Sequence, residues 1–321
     1  MKKTFLALAA LLATLPALAQ LATINTAKKL YEERKPAEAK KLLAPIDDDS
    51  KEYAQAQYWL GRIAFDEKKY EESADFFDEA IDANDQVAEY HYWHGAAMGS
   101  EAQGAGLMRK GFLAPKIKSA FEQTLALDPK HADAMYALIQ YYVQAPAMMG
   151  GDRAKALQLA NRLKGIDKAR GHYQAAYVYG ADNKNDLAEK ELLALTKAEP
   201  DKWEHQVALG NFYINSKQYQ RAFDLYDARL KKNPNDMPAN YQYGKVGAVS
   251  GQQLDRAEAS LKAYLKYQPG KDEPQLANAN HRLGMVYEKK GNKAEAKKCY
   301  ETAVRLDPNL KEAKELLAKL K

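Results

Sequence analysis

The chain reads as all-α, an array of antiparallel helix pairs stacked side by side. Three observations point there. Residues 277–310 hold two amphipathic stretches of about a dozen residues, with Leu283, Gly284 and Tyr287 on one stripe and Ala296, Tyr300 and Ala303 on the other. Spacings of three, four and seven put each set on one face of a 3.6-residue helix. The same alternation of small and bulky residues returns in phase along most of the chain. Finally, Pro129, Pro200, Pro234, Pro269 and Pro308 punctuate it at spacings of 71, 34, 35 and 39. A single helix pair cannot bury both of its faces, so each pair needs neighbours like itself.

The amino terminus comes first. Lys2 and Lys3 form a basic segment, Phe5 to Leu15 an apolar core, Pro16 a break, and Ala17, Leu18 and Ala19 a small-x-small site before Gln20. That layout predicts a secretory signal peptide over 1–19, cleaved after Ala19, and a periplasmic or secreted protein. The apolar core is too short to cross a bilayer, which takes roughly 20 residues. Losing Lys2 and Lys3 with the signal takes the net charge from +5 to +3. So small a surplus, with no basic run interleaved with aromatics, gives no case for nucleic acid. Cys299 is the one cysteine; it falls on the packing side of a second helix, where a buried inert thiol is expected.

An array of about eight repeats is expected over 20–310. Counting positions from Ala277, the pattern occupies 7, 8, 11, 20, 24, 27 and 32. The first copy is degraded (Ala27, Leu30, Pro36, Ala39, Leu43, Ile46) and reads as a cap. Asp47, Asp48, Asp49 and Ser50 then form a solvated turn rather than a calcium loop, because no downstream carboxylate completes an EF-hand spacing. The second copy is clear: Leu60, Gly61, Ala64, then Tyr70, Ser73, Phe77 and Ala80. The third has His94, Gly95 and Met98, then Ile117, Phe121 and Thr124, with ten extra residues between its halves within 99–116. That insertion is expected to extend the helix pair, with Leu107, Met108, Phe112 and Leu113 folding back on the array.

The fourth copy (Leu138, Ile139, Tyr142, Ala156, Ala160, Leu163) carries five extra residues within 145–151. Pro146, Gly150 and Gly151 should stop one helix there, and Asp152 should N-cap the next. The fifth is compact (Ala175, Ala176, Tyr179, Ala188, Leu192, Leu195) and the sixth regular (Leu209, Gly210, Tyr213, Tyr219, Ala222, Tyr226). The seventh (Tyr243, Gly244, Gly247, Gly251, Ala257, Leu261, Tyr264) has one extra turn residue, and the eighth is the 277–310 unit. Residues 311–321 alternate Lys and Glu with Ala and Leu, the pattern of a capping helix with one wet face.

These positions resemble the tetratricopeptide repeat (TPR), a 34-residue unit. The resemblance covers about nine tenths of the chain and implies a TPR-type right-handed superhelical solenoid; the handedness comes from the family. It also implies that first helices line a concave groove through positions 2, 5, 9 and 12. Position 5 reads Tyr58, Tyr92, Tyr136, Tyr173, Val207, Tyr241 and His281, and position 9 reads Arg62, Ala96, Gln140, Tyr177, Asn211, Lys245 and Met285. Candidate binding residues are therefore Tyr58, Arg62, Tyr92, Tyr136, Gln140, Tyr173, Tyr177, Asn211, Tyr241 and Lys245. Tyrosine gives an apolar face with a hydrogen-bonding tip at low ordering entropy. It can equally serve to pack neighbouring first helices. A peptide-carboxylate clamp known in some relatives joins Lys or Arg at position 5 to Asn at position 9, and no repeat here has that pair.

Catalytic and cofactor chemistry finds no support. Gly106 and Gly111 are spaced as in a phosphate loop, but Phe112 and Leu113 stand where Lys and Ser or Thr are required. His91 and His94 lie three apart without a third ligand or an HExxH pattern. The expectation is an exported, non-enzymatic scaffold that holds a protein or peptide in a Tyr-lined groove, with no cofactor and no metal. A solute- or polysaccharide-binding accessory of an envelope transport or synthesis system is the alternative, and an enzyme site built from the insertions is the weakest reading.

Overall fold

The computed structural model describes residues 20–320, so the expected signal peptide at 1–19 lies outside the described residues. Every regular element among them is helical. They form two compact units, one up to Asn183 and one from Lys184. The division falls inside the turn of the fifth repeat.

The first unit holds α1 (through 20–32), α2 (Pro36–Leu43), α3 (Tyr53–Asp66), α4 (Tyr70–Ala83), α5 (Ala88–Gly104), α6 (Leu107–Leu127), α7 (Ala132–Gln144), α8 (Arg153–Leu163) and α9 (Lys168–Ala181). The second holds α10 (Asn185–Ala198), α11 (Trp203–Asn215), α12 (Tyr219–Lys232), α13 (Met237–Ser250), α14 (Leu254–Tyr264), α15 (Leu276–Lys289), α16 (Lys293–Leu306) and α17 (Lys311–Lys319). Within each unit a helix packs on the next along the chain, and first helices also touch, as in α3 with α5, α7 with α9, α11 with α13 and α13 with α15. This is the wiring of a helical solenoid, in which each repeat closes the open face of its neighbour.

The position-8 glycines explain how close the paired helices come. A Cβ built on Gly61 would lie 2.8 Å from the Phe77 ring, and one on Gly95 3.0 Å from the Phe121 ring. Gly210, Gly244 and Gly284 face Tyr226, Leu261 and Tyr300 in the same way. Position 8 is small because position 24 fills its space from the partner helix.

The turn inside each regular repeat needs a residue in left-handed backbone. Arg34, Lys68, Asn183, Lys217, Gly251 and Gly291 all sit at position 15 with positive φ. Only two of the six are glycine, although a side chain in that region costs roughly 1–2 kcal/mol. Ordering the hairpin as a whole offsets that cost.

The two insertions behave differently from each other. Residues 99–116 extend the helix pair as expected, giving α5 17 residues and α6 21, but of the four apolar residues expected to fold back on the array Leu113 alone is buried. Pro115 lies inside α6. Its missing N–H removes one rung of the ladder without ending the helix. Leu113 is buried at 3% exposure, but Leu107 and Met108 stand 87% and 90% exposed at the tip and Phe112 54%. The elongated hairpin carries them past the neighbouring helices that would cover them. In the fourth repeat, the 145–151 segment makes one short turn of 3-10 helix at Ala147–Met149, and the Asp152 carboxylate accepts from the Ala154 and Lys155 amides at 3.0 Å, capping α8 as expected. Cys299 is buried, and burial pushes its thiol up to about 11.

Candidate functional site

In the first unit the first helices α3, α5, α7 and α9 carry the expected position-5 and position-9 residues. On α3, the Tyr58 hydroxyl accepts from Arg62 Nη1 at 2.9 Å, one helical turn away. Its ring reaches across to Phe77 and Tyr90, with centroids 5.9 Å and 5.3 Å apart. Burial raises the Tyr58 phenol above its ordinary pKa, with Arg62 pulling it back. Tyr92 on α5 is likewise half-buried, with centroids 5.8 Å from Phe121 and 4.6 Å from His131. Both tyrosines therefore pack first helices together while their edges remain accessible.

Arg62 organises a cluster that rows 5 and 9 alone do not show. Its guanidinium lies 3.7 Å from the Trp93 ring centroid, and Nη2 approaches the Tyr31 hydroxyl at 3.5 Å. Tyr31 donates onward to Asp66 at 2.6 Å. The Arg62 Nε is buried with no hydrogen-bond partner among the described residues. Trp93 in turn donates its indole N–H to Glu89 at 3.0 Å, and Glu89 meets His131 Nε2 at 3.3 Å. That contact raises the pKa of His131 and lowers that of Glu89, the reciprocal shifts of one pair. His131 Nδ1 accepts from the Ala134 amide at 3.2 Å, which leaves the proton on Nε2 for Glu89.

Further along this unit the row becomes more open. Tyr136 on α7 is 38% exposed and Tyr177 on α9 36%. The Arg170 guanidinium lies 4.6 Å from the Tyr136 ring centroid and pairs with Asp133 at 2.6 Å. Gln140 donates to Gln174 at 2.7 Å, and Gln144 reaches both Gln140, at 3.2 Å, and the Tyr177 hydroxyl, at 3.5 Å. Tyr173 is half-buried on the same helix. These amides and phenols form a hydrogen-bonding surface between α7 and α9, with donors and acceptors of both kinds.

The second unit carries Asn211 on α11, and Tyr241 and Lys245 on α13. Tyr241 departs from the expected exposed lining: it is only 6% exposed, with its ring 5.1 Å from Tyr264. The seventh-repeat helices approach closely over Gly244 and Gly247, which draws that ring into the core. Lys245 donates to Asn211 at 2.7 Å, so position 9 of one repeat meets position 9 of the next. Burial, and after it the charge of Arg282, hold the Lys245 ammonium below its ordinary pKa. Arg282, at position 6, was not among the sequence candidates, since position 6 is not expected to face a groove; nor was Trp93, at the same position.

Hairpins stacked on one another, with a polar and aromatic row along their first helices, define a helical-repeat scaffold. Such scaffolds typically bind proteins and carry no catalytic centre of their own. Sequence profiles described as tetratricopeptide repeat match residues 24–88, 173–236 and 277–310, about half of the chain. The chain belongs to the tetratricopeptide-repeat family. A tetratricopeptide repeat protein of Parabacteroides merdae ATCC 43184 shares the fold, with a TM-score of 0.58 at 15% identity, over 94% of this chain and 98% of that one. YrrB, a TPR protein with an unusual peptide-binding site, aligns with a TM-score of 0.36 at 18% identity over 76% of this chain and 98% of its own. A thermophilic TPR protein from Thermus thermophilus gives 0.40 at 21% identity, over 60% of this chain and 98% of that one. The last two likenesses are too loose to bear on this chain's ligand. No curated protein matches. Among the described residues no helix is long and apolar enough to cross a membrane.

Proposed function

We propose that the chain is an exported scaffold, without catalysis of its own, that holds a protein or peptide segment in a groove along its first helices. On this reading residues 1–19 direct export and are removed after Ala19, residues 20–310 form the repeat array, and 311–321 cap it in the periplasm or outside the cell. The observation that carries the proposal is the open surface between α7 and α9. There Tyr136 and Tyr177 are more than a third exposed beside the Gln140, Gln144 and Gln174 amides. Amide side chains match the donors and acceptors of a peptide backbone, and rigid phenol rings supply contact area at little entropic cost. Tyr58, Arg62, Tyr92 and Tyr173 would extend the surface in the first unit, and Asn211 and Lys245 would offer polar groups on the first helices of the second.

Photo-crosslinking amino acids placed at Tyr136 and Tyr177 in cells test this. The expected result is adducts to one defined protein segment, with a sequenced amino terminus beginning at Gln20. Adducts formed only from second-helix positions such as Leu193, or adducts to polysaccharide in place of protein, would overturn it.

A further inference from the structure

Surface apolar residues scattered singly are ordinary, but a cluster of them on a projection calls for a partner. The elongated hairpin of the third repeat carries such a cluster. Leu107 is 87% exposed, Met108 90% and Phe112 54%. Helical spacing sets all three on the face of α6 turned away from the buried Leu113. No rotation of α6 could therefore cover them while Leu113 stays packed. Met148, 93% exposed, stands on the fourth-repeat insertion along the same edge of the unit. A Cβ built on Gly150, two residues on, would lie 3.4 Å from Lys118 Nζ of α6.

The charge around this stripe has one sign. Between Glu101 and Glu122 the sequence holds Arg109, Lys110, Lys116 and Lys118, and no Asp or Glu. Arg109 is paired with Glu101 at 2.6 Å and Lys118 with Glu122 at 3.7 Å. Lys110 and Lys116 are exposed, and among the described residues neither forms an ion pair. Lys116 Nζ lies 4.4 Å from the Phe112 ring centroid and the Arg109 guanidinium 5.7 Å, so cations rim the ring. The first turn of α6 has no acidic residue, and its Gly106 cap supplies no side-chain acceptor. The amide donors of that turn add to the positive field at the tip.

We propose that the α5–α6 tip docks on an anionic lipid bilayer, with Leu107, Met108 and Phe112 entering the acyl boundary and Lys110 and Lys116 meeting headgroup phosphates. A bilayer supplies both halves of the chemistry, an apolar interior beneath a negatively charged surface. Lysine suits the boundary, because its stem can lie along apolar surface while the ammonium stays among the headgroups. The tip is a projection, and a bilayer yields to a projection where a protein partner would have to offer a matching pocket. A second copy of this chain is a poor fit, since two tips meeting would set cation against cation. The inference uses none of the groove residues and stands apart from that reading.

The test is co-sedimentation with vesicles of phosphatidylcholine, with and without phosphatidylglycerol. It uses the chain from Gln20 onward, which holds every described element and lacks the apolar 5–15 stretch that would itself enter lipid. Binding to the phosphatidylglycerol vesicles should be tighter by about tenfold or more, and added salt should weaken it. Leu107→Ser with Met108→Ser should weaken it by about tenfold or more, and Lys110→Gln with Lys116→Gln should remove most of the anionic preference. Leu306→Ser, a change at another exposed leucine, should leave binding intact. Urea unfolding verifies that each variant is folded. In a Met108→Trp variant the vesicles should shift indole emission to the blue, and bromine carried on the acyl chains should quench it. Absence of binding, equal binding to both vesicles, or binding that survives the loss of Leu107 and Met108 would each overturn the proposal. So would dimerisation abolished by the same double substitution with no attachment to vesicles, which would assign the tip to a second copy.

Discussion

Gly61→Ala tests the account of why position 8 is small. The new Cβ would lie 2.8, 2.9 and 3.0 Å from three carbons of the Phe77 ring. Ordinary carbon contacts sit near 3.5–4.0 Å, so the ring would have to retreat by roughly 0.7 Å. It has little room to do so. Phe77 is fully buried, with Tyr58 and Trp93 rings at 5.9 Å and 6.4 Å and Met98 in the same cluster. Overpacking of this kind costs about 1–3 kcal/mol, while Ala in place of Gly in a helix returns about 1 kcal/mol. The expected net loss is therefore about 1 kcal/mol. Gly99, on the first helix of the next repeat, supplies the control, because a Cβ there meets nothing within 4 Å. Gly99→Ala should stabilise by about 0.5–1 kcal/mol. Urea unfolding followed by circular dichroism, with hydrogen exchange across α3 and α4, measures both. Combining Gly61→Ala with Phe77→Leu should recover part of the sum of the two losses, since the smaller side chain vacates the space. Equal gains at Gly61 and Gly99 would refute the packing argument.

Two further outcomes are expected. Leu113→Ala should cost about 2–4 kcal/mol, as for a buried leucine, whereas Leu107→Ser and Met108→Ser should change stability by no more than about 0.5 kcal/mol; the same urea unfolding decides. Stability should also carry a signature of His281, whose imidazole is held down at about 4 by burial and then by the charge of Arg282. The unfolded chain takes up that proton first, near pH 6.5. The contribution is therefore complete above 6.5 and is lost as pH falls toward 4, approaching about 3 kcal/mol. His281→Gln should flatten the stability curve over that window, and parallel curves for the two proteins would contradict it.

The helix pairs were legible because their signal is redundant. Gly284 with Tyr300, Gly210 with Tyr226 and Gly61 with Phe77 repeat one steric relation, so chance agreement is excluded by phase alone. Asp152 was legible for a local reason: a carboxylate after two glycines has free amides to satisfy. The elongation of α5 and α6 was expected, but the exposure of Leu107, Met108 and Phe112 on it was not. Gly111 and Pro115 argue for a break, yet α6 runs through both, because a proline forfeits one hydrogen bond while the flanking turns stay packed on α5. The left-handed turns at Arg34, Lys68 and Lys217 leave no mark in composition, since the hairpin imposes them on residues that do not favour them. Tyr241 reads like the other position-5 tyrosines, and only the close approach over Gly244 and Gly247 draws it inside. The Arg62 and Arg282 environments depend on which neighbouring repeat supplies position 6, a relation between helices that a single-repeat template does not contain.

Within each unit the described helices pack chiefly on partners one or two places along the chain. The contacts are accordingly short in sequence, the circumstance in which chains fold quickly and locally. It also confines damage and benefit alike to a neighbourhood. A loosened hairpin weakens those flanking it and little beyond, and a segment laid across several hairpins would clamp all of them together. Whatever this molecule holds is thereby also a splint for it, so its firmness in the cell should rise and fall with occupancy.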